Sequence, residues 1–322
     1  METVFIILSA VLLLFVIYII CVAVGFFRIG LTRHPDYDTN YDPVRDKERS
    51  APDHGTEYRI RAWEYNKWWN TRKLEYREIT SDDGLKLVAS VLKSDTPSDT
   101  VVLVVHGHLC CAGEEGFASK MFHEAGFDVW APDQRAHGKS GGRFITMGSR
   151  EGMDVKRWAE EIARERPEVS IVLYGGSMGA ASVCMASARE LPEQVKCVIS
   201  DCAYTTAYEV FGVELKNRYS WLPFKKLLLE TSNFISVLLT GFNFKKCSVT
   251  EKIAQSKRPV MFIQGKSDIL VLPEMAQVLY DAHPGEKELM WVEGAGHNVS
   301  FFHAPDYRER VLKFISKYVS QD

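Results

Sequence analysis

The segment Ile171-Val172-Leu173-Tyr174-Gly175-Gly176-Ser177-Met178-Gly179 is the most informative part of this 322-residue chain. Four apolar residues precede a serine flanked by glycines, and an Ala- and Ser-rich stretch follows up to residue 190. This order predicts a strand, a sharp turn and a helix, with the Ser177 hydroxyl raised above a sheet at the positive end of the helix. Glycine suits such a turn because a Cβ at Gly175 or Gly179 would clash with neighbouring elements. A plain tight turn is the alternative, but the strand and helix on either side favour a nucleophilic serine.

A serine hydroxyl is a weak nucleophile unless a neighbouring base takes its proton. Gly294-Ala295-Gly296-His297 comes directly after a predicted strand at residues 288–292. The glycines provide a flexible loop on which His297 can reach Ser177. His283 and His303 are the alternatives, but neither directly follows a strand in a glycine-rich loop. The sequence therefore predicts His297 as the catalytic base.

The third member of such a triad is an acid that fixes the histidine tautomer and stabilises its cation. Asp268 follows the predicted strand 259–264 and precedes His297, which is the chain order Ser, Asp, His of this architecture. Asp201, after the preceding strand, is the alternative. We expect Asp268 to be the acid and Asp201 to brace the entrance of a cap.

An oxyanion hole requires two backbone N–H groups aimed at the carbonyl oxygen of the substrate. Met178, directly after the serine, is predicted to supply one. The second is expected from the loop after the β-branched strand 100–105, with His108 as first choice and Leu109 as second. His106 in the same loop, and the later segment 133–140, are interpreted as hydrogen-bonded braces of the site floor.

Strand and helix patterns alternate from residue 74 to the C-terminus, which predicts a mostly parallel sheet with helices on both faces. The exception is residues 204–256, where helical patterns occur without a strand. We interpret this segment as an inserted helical cap over the edge of the sheet where such folds place their sites. Its apolar residues suggest an acyl- or aryl-binding face, with the core of the cap as the equal alternative. The candidates for that face are Phe211, Trp221 and Phe224.

The segment 4–27 is apolar and uncharged, long enough to cross a hydrocarbon core of about 30 Å. A cleaved signal peptide would have a basic start and a shorter apolar core, and a buried soluble helix would have polar interruptions. We therefore divide the chain into an anchor (1–30), a linker and helix (31–73) and a catalytic domain (74–322). Trp63, Trp68 and Trp69 in that helix indicate packing on the core, or else a position near the membrane.

The orientation follows from charge, since positive residues cluster on the cytoplasmic side of a membrane helix. Five of them lie after the apolar segment: Arg28, Arg33, Arg45, Lys47 and Arg49. The sequon Asn298-Val299-Ser300 agrees, because a glycan beside His297 would obstruct the site. We expect a single-pass membrane protein with its catalytic domain in the cytoplasm.

Composition excludes other classes of protein. A net charge of −3 and the lack of a basic stripe with interleaved aromatics argue against nucleic-acid binding. The seven cysteines are odd in number and form no CxxC pair, which argues against a disulfide framework and a thiolate zinc site. Free thiols fit a reducing compartment.

As a group, the serine turn, His106-Gly107, residues 133–140, Asp268 and Gly296-His297 resemble the α/β-hydrolase superfamily. More narrowly, they look like its membrane-anchored bacterial serine esterases and lipase-like enzymes. The resemblance implies an eight-stranded sheet, hydrolysis of small acyl esters and neither a metal nor an organic cofactor. One departure is the loop after Asp268, which is one residue longer than the Asp-x-x-Val-Pro pattern common in such proteins.

The resemblance leaves alternatives open. A serine peptidase or amidase would use the same triad on the same fold. A non-catalytic binding protein would not need the triad, and a dehalogenase or epoxide hydrolase would have Asp in place of Ser177. Tethering to a membrane favours lipid-derived esters as substrates.

Overall fold

A computed structural model describes residues 1–34 and 56–319, and for residues 56–60 it describes the backbone only. Most of the predicted linker lies outside the described residues.

The central element is a sheet of eight strands in the order β1-β2-β4-β3-β5-β6-β7-β8. β1 and β2 form an antiparallel hairpin, β2 pairs antiparallel with β4, and the remaining pairs are parallel. The strands are β1 (Glu75–Thr80), β2 (Lys86–Leu92), β3 (Thr100–Val105), β4 (Asp128–Asp133), β5 (Ser170–Gly176), β6 (Val195–Asp201), β7 (Val260–Gly265) and β8 (Lys287–Val292). The β-branched runs fill the middle of the sheet, where β3 and β4 are buried along their whole length.

Helices cover both faces of the sheet, and two buried apolar clusters lie on its two sides. The helices are α1 (Glu2–Leu31), α2 (Thr56–Asn70), α3 (Gly116–Glu124), α4 (Glu151–Glu165), α5 (Met178–Ser187), α6 (Ala207–Asn217), α7 (Lys225–Thr240), α8 (Val249–Ile253), α9 (Pro273–Ala282), α10 (Ser300–His303) and α11 (Tyr307–Ile315). The predicted fold class is confirmed: a mostly parallel eight-stranded sheet between helices, with an N-terminal helix long and apolar enough to cross a membrane.

The inserted segment between β6 and β7 contains α6, α7 and α8, and we call it the cap. The C-terminal half of α1 packs on the cap, where Phe26 makes edge-on contacts with Phe211 and Tyr219. After α1, the chain pairs with the loop before α4 through a bridge between Thr32 and Phe144. Helix α1 is therefore attached to the rest of the structure at its C-terminal end.

Helix α2 belongs to the opposite side of the sheet. Trp69 is buried in the apolar cluster there, and Trp68 packs against His123 of α3 at 5.8 Å between ring centroids. Of the two interpretations of the tryptophans, packing on the core is the one that fits this arrangement.

Candidate active site

Ser177 occupies a strained turn between β5 and α5. Its backbone has φ 54° and ψ −116°, a region that side chains rarely adopt. The glycines around it have no room for a side chain: a Cβ at Gly175 would lie 2.3 Å from the carbonyl carbon of Gly179, and one at Gly179 would lie 2.0 Å from the carbonyl oxygen of Val105. The turn is thus closed so tightly that glycine is required on both sides of the serine.

The three residues predicted as a triad lie within hydrogen-bond distance in series. His297 Nε2 is 2.8 Å from Ser177 Oγ, and His297 Nδ1 is 2.8 Å from Asp268 Oδ2. They are brought together because β5, β7 and β8 are parallel and their carboxyl ends meet at one edge of the sheet. In this geometry a neutral imidazole donates from Nδ1 to the carboxylate and accepts the serine proton at Nε2.

The longer loop after Asp268 holds the carboxylate in place. The backbone N–H groups of Leu270 and Val271 both donate to Asp268 Oδ1, at 2.9 and 2.8 Å. Gln264, a buried polar residue of β7, donates to Oδ2 at 3.1 Å. Burial opposes the charge of this carboxyl, but His297 and these donors outweigh it and lower the pKa of Asp268. Gln264 was not predicted; the only signal for it is a polar residue at the end of an apolar strand.

Electrostatics bias His297 toward accepting a proton. Burial, the largest single effect, disfavours the charged imidazole, but Asp268 and Cys202 together, through charge and hydrogen bonding, outweigh it, and the pKa of His297 lies well above its usual value. The imidazolium that forms when Ser177 loses its proton is therefore stabilised.

Asp201, the alternative acid, has other partners. Its two carboxylate oxygens accept from the hydroxyls of Ser300, at 3.2 Å, and Tyr307, at 2.8 Å. Burial raises the pKa of Asp201 to about 6. The expectation that Asp201 braces the cap is therefore wrong, because it ties β6 to α10 and α11 behind the loop that carries His297.

The loop after β3 passes directly over the serine. A Cβ at Gly107 would lie 3.6 Å from the Cβ of Ser177. The N–H of Leu109 donates to His137 Nε2 at 3.2 Å, so it is not free to bind an oxyanion. Met178 begins α5, where a helix leaves its first N–H groups without intrahelical partners. The arrangement leaves the N–H groups of Met178 and His108 as the candidates for the oxyanion hole.

Two neutral histidines brace this loop. His106 Nε2 accepts from the N–H of Gln134 at 2.9 Å, and His137 Nδ1 contacts the carbonyl of Arg135 at 2.8 Å. Burial lowers the pKa of both imidazoles, so each keeps one donor and one acceptor nitrogen at neutral pH. Segment 133–140 is the partner of the loop, as the bracing interpretation expects.

Arg135 fixes that segment to the body of the domain. Its buried guanidinium forms paired bonds with Asp154 on α4, at 2.6 and 2.7 Å, and with Asp83 after β1, at 2.8 and 3.1 Å. Such two-pronged ion pairs fix direction as well as position. Arg135 therefore acts on the shape of the site floor and does not face Ser177.

Cys202 is a neighbour of the triad that no sequence pattern indicates. It is buried at a left-handed backbone position, φ 54°, and its sulfur lies within 4.8 Å of ligand atoms of Asp268 and His297. Burial raises the pKa of the Cys202 thiol to about 11, so it is neutral at physiological pH. The three side chains offer a sulfur, a carboxylate oxygen and an imidazole nitrogen as possible metal ligands, but Asp268 and His297 are bonded to each other.

Asn298 of the sequon faces the serine turn. A Cβ at Gly176 would lie 2.7 Å from its side-chain oxygen. A glycan on this half-buried side chain would therefore meet the nucleophile turn itself.

The three cap aromatics do not form one binding face: a place on such a face is wrong for Phe211, which fits the alternative of a core residue. Phe211 is buried between Phe26 and Phe244, with ring centroids at 5.5 and 4.9 Å, so it is part of the core between anchor and cap. Trp221 and Phe224 are exposed on the outside of the cap, and Phe224 contacts Phe15 of α1. Helical spacing alone could not show that α1 would cover this part of the cap.

Comparisons with known proteins agree with this fold. The model of the serine aminopeptidase S33 family matches residues 96–239. YqkD of Bacillus subtilis is 25% identical over 230 residues, which cover 70% of this chain and 73% of YqkD. A monoacylglycerol lipase of Mycolicibacterium smegmatis is 30% identical over 124 residues, covering 36% of this chain and 42% of the lipase.

Among solved structures, an esterase of Pyrococcus furiosus superimposes with a TM-score of 0.65 at 25% identity, over 79% of this chain and 94% of the esterase. The family match and this neighbour share the architecture that the sheet order and the serine turn display. The chain is a hydrolase of the α/β-hydrolase superfamily.

Proposed function

We propose that the protein is a serine hydrolase that cleaves carboxylic acyl esters through an acyl-enzyme. The observation that carries the proposal is the pair of 2.8 Å contacts that His297 makes, one with Ser177 and one with Asp268. A binding protein needs no such series of nucleophile, base and acid.

In the first half of the reaction, His297 Nε2 takes the Ser177 proton as Oγ attacks the ester carbonyl. The N–H groups of Met178 and His108 hold the negative oxygen of the tetrahedral intermediate. His297 then returns the proton to the leaving alcohol as the carbon–oxygen bond breaks. In the second half, His297 activates water, which attacks the acyl-enzyme and releases the acid and Ser177.

Esters are favoured by the relatives whose activities are named. The Pyrococcus furiosus neighbour is an esterase, and the mycobacterial relative is a monoacylglycerol lipase. The second candidate is a peptidase or amidase, which the name of the matching family favours. A membrane anchor that makes lipid-derived esters accessible is part of the proposal and rests on the length and apolar character of α1. The positive charges after α1 support a cytoplasmic catalytic domain.

The two candidates are separated by the turnover of matched substrates. The purified full chain would be assayed with two sets of chromogenic substrates. One set is acyl esters of graded chain length, and the other is aminoacyl amides with a matched chromophore in the leaving group. We expect the wild-type chain to cleave the esters and to cleave the amides little. Ester turnover should disappear in Ser177→Ala. Efficient amide turnover with weak ester turnover would instead identify the peptidase.

A further inference from the structure

The anchor helix α1 and the cap helix α7 run side by side. Phe15 of α1 contacts Phe224, at the start of α7, with ring centroids 5.1 Å apart. Further along, the carbonyl of Ala23 accepts a hydrogen bond from Ser232 at 3.2 Å. The two contacts are separated by the same number of residues on both helices. The helices are therefore parallel, with the same rise along both, and the start of α7 lies level with the middle of α1.

This position limits how α1 can enter a bilayer. Only residues 2–14 extend beyond the cap, and 13 helical residues measure about 20 Å at about 1.5 Å each. A hydrocarbon core is about 30 Å thick. The free part of α1 is therefore short by about 10 Å, and the helix can cross only if the nearest part of the cap enters the hydrocarbon with it.

The part of the cap nearest the free end of α1 has a surface suited to hydrocarbon. We call residues 221–227 the cap tip. Trp221 is 75% exposed, Phe224 57% and Leu227 44%. The outward side of α7 continues this surface with Phe234 and Leu238, while its inward side is buried. An apolar surface of this kind, continuous with a membrane-length helix, is costly in water and stable in lipid.

The lysines at the start of α7 are compatible with such a position. Lys225 Nζ donates to the carbonyls of Ser220 and Leu222, both at 2.8 Å, so two of its three donors are used within the protein. Lys226 has a flexible stem that can carry its ammonium toward phosphate headgroups.

We propose that the cap tip is inserted in the leaflet next to the catalytic domain, about 10 Å below the hydrocarbon boundary. Phe234 then lies nearer the headgroups, because α7 runs away from the bilayer centre in step with α1. The cap thus contacts hydrocarbon together with α1. This inference rests on the membrane anchoring proposed above, and it adds a second membrane contact that anchoring by α1 alone does not require.

The test measures the depth of three positions in vesicles of phosphatidylcholine with a minor share of phosphatidylglycerol. In a Cys21→Ser background of the full chain, single variants Leu227→Cys, Phe234→Cys and Val278→Cys receive an environment-sensitive fluorophore. Val278 is the matched control, since it is an exposed apolar residue on α9. Native Cys21, exposed on α1, is labelled in a separate sample as the reference for the anchor. The unmodified Cys21→Ser chain measures background labelling.

Lipids with nitroxides at shallow and deep positions then quench each fluorophore. The proposal predicts the deepest quenching at Leu227, shallower quenching at Phe234 and none at Val278, with Cys21 quenched as well. Quenching at Cys21 without quenching at Leu227 would overturn the cap insertion and leave the anchor intact. No quenching at Cys21 would refute the anchoring itself. A fluorophore at Leu227 that is shielded from water but not quenched by lipid would indicate a protein partner on this face and would also overturn the proposal.

A second measurement uses activity and keeps the site unchanged. The double variant Leu227→Ser, Phe234→Ser is compared with Val278→Ser on a long-chain ester in vesicles and on a soluble short-chain ester. We expect the cap variant to cleave the vesicle substrate several-fold more slowly and the soluble ester at an unchanged rate. Val278→Ser should cleave both substrates at unchanged rates. Equal turnover of the vesicle substrate by both variants would contradict a cap that works inside the leaflet.

Discussion

The Nε2 atom of His108 lies 2.7 Å from the carbonyl oxygen of Gly30. The side chain of this loop residue thus holds the C-terminal end of the anchor helix, while its backbone N–H is the proposed second donor to the oxyanion. Burial lowers the pKa of His108 to about 4, so the imidazole is neutral at physiological pH and donates its Nε2 proton to Gly30. The N-terminal helix α1 and the loop over Ser177 are therefore joined through one residue.

His108→Ala is expected to destabilise the fold by about 1–3 kcal/mol, because the carbonyl of Gly30 loses a buried donor. It should also slow ester turnover, since the loop over Ser177 is no longer fixed. The control is His283→Ala, which removes another histidine whose Nε2 is bonded to a backbone carbonyl, that of Arg258, at 2.9 Å. Denaturant unfolding and ester kinetics would be measured on both. A similar loss of turnover in both variants would show that His108 has no special effect on the site.

The contribution of His108 to stability should depend on pH. Its pKa is about 4 in the folded chain, against a usual value of 6.5, so below pH 6.5 the unfolded chain takes up a proton first. The stabilisation is therefore complete above about pH 6.5 and declines as the pH falls toward about 4. The measurement is the difference in unfolding free energy between wild type and His108→Ala across this range. A difference that grows as the pH falls would contradict a buried neutral imidazole.

Ser177→Gly should abolish turnover and raise the unfolding free energy by roughly 1 kcal/mol. The reason is the left-handed backbone at Ser177, φ 54°, which glycine adopts without strain. As a control, Ser182→Gly on α5 is expected to lower stability, since it puts glycine in a helix and removes a bond to Gln134. Thermal unfolding of the two variants tests this. Destabilisation by Ser177→Gly would mean that the turn is not strained at the nucleophile.

Gly179→Ala is expected to prevent the native turn or to cost several kcal/mol, because the new Cβ would lie 2.0 Å from the carbonyl oxygen of Val105. The control is Gly212→Ala on α6, whose Cβ would have its nearest neighbour, a methyl of Leu229, at 3.8 Å. That variant should be neutral or more stable by roughly 0.5–1 kcal/mol through helix propensity. Soluble yield and denaturant midpoints compare the two. A well-folded, active Gly179→Ala enzyme would be inconsistent with the tight turn.

The residues that the structure brings together at the site are those that local pattern and the ends of strands indicate. A glycine-bounded serine after β5 and a histidine after β8 must meet, because parallel strands bring their carboxyl ends to one edge. The same argument applies to Asp201 at the end of β6, so the ends of strands alone do not select Asp268 over Asp201. The mostly parallel sheet follows from the alternation of strand and helix patterns, whereas its eight strands are what the resemblance implies.

The contacts that sequence patterns do not indicate are the long-range ones. Helical spacing marks Phe211 as apolar but does not show that Phe26, far away in sequence, covers it. The partner of His108, Gly30, is 78 positions away, and no periodicity encodes such a contact. Cys202 reaches the triad only through the left-handed turn after β6, which its sequence does not signal.

The most direct test of the central claim is covalent labelling of Ser177. The full chain would be treated with a fluorophosphonate, which reacts with serines that a neighbouring base activates, and the adduct located by peptide mass spectrometry. The account predicts a single adduct on Ser177, absent in Ser177→Ala and much slower to form in Asp268→Asn. A folded wild-type chain that forms no adduct, or forms it on another serine, would contradict a working triad of Ser177, His297 and Asp268.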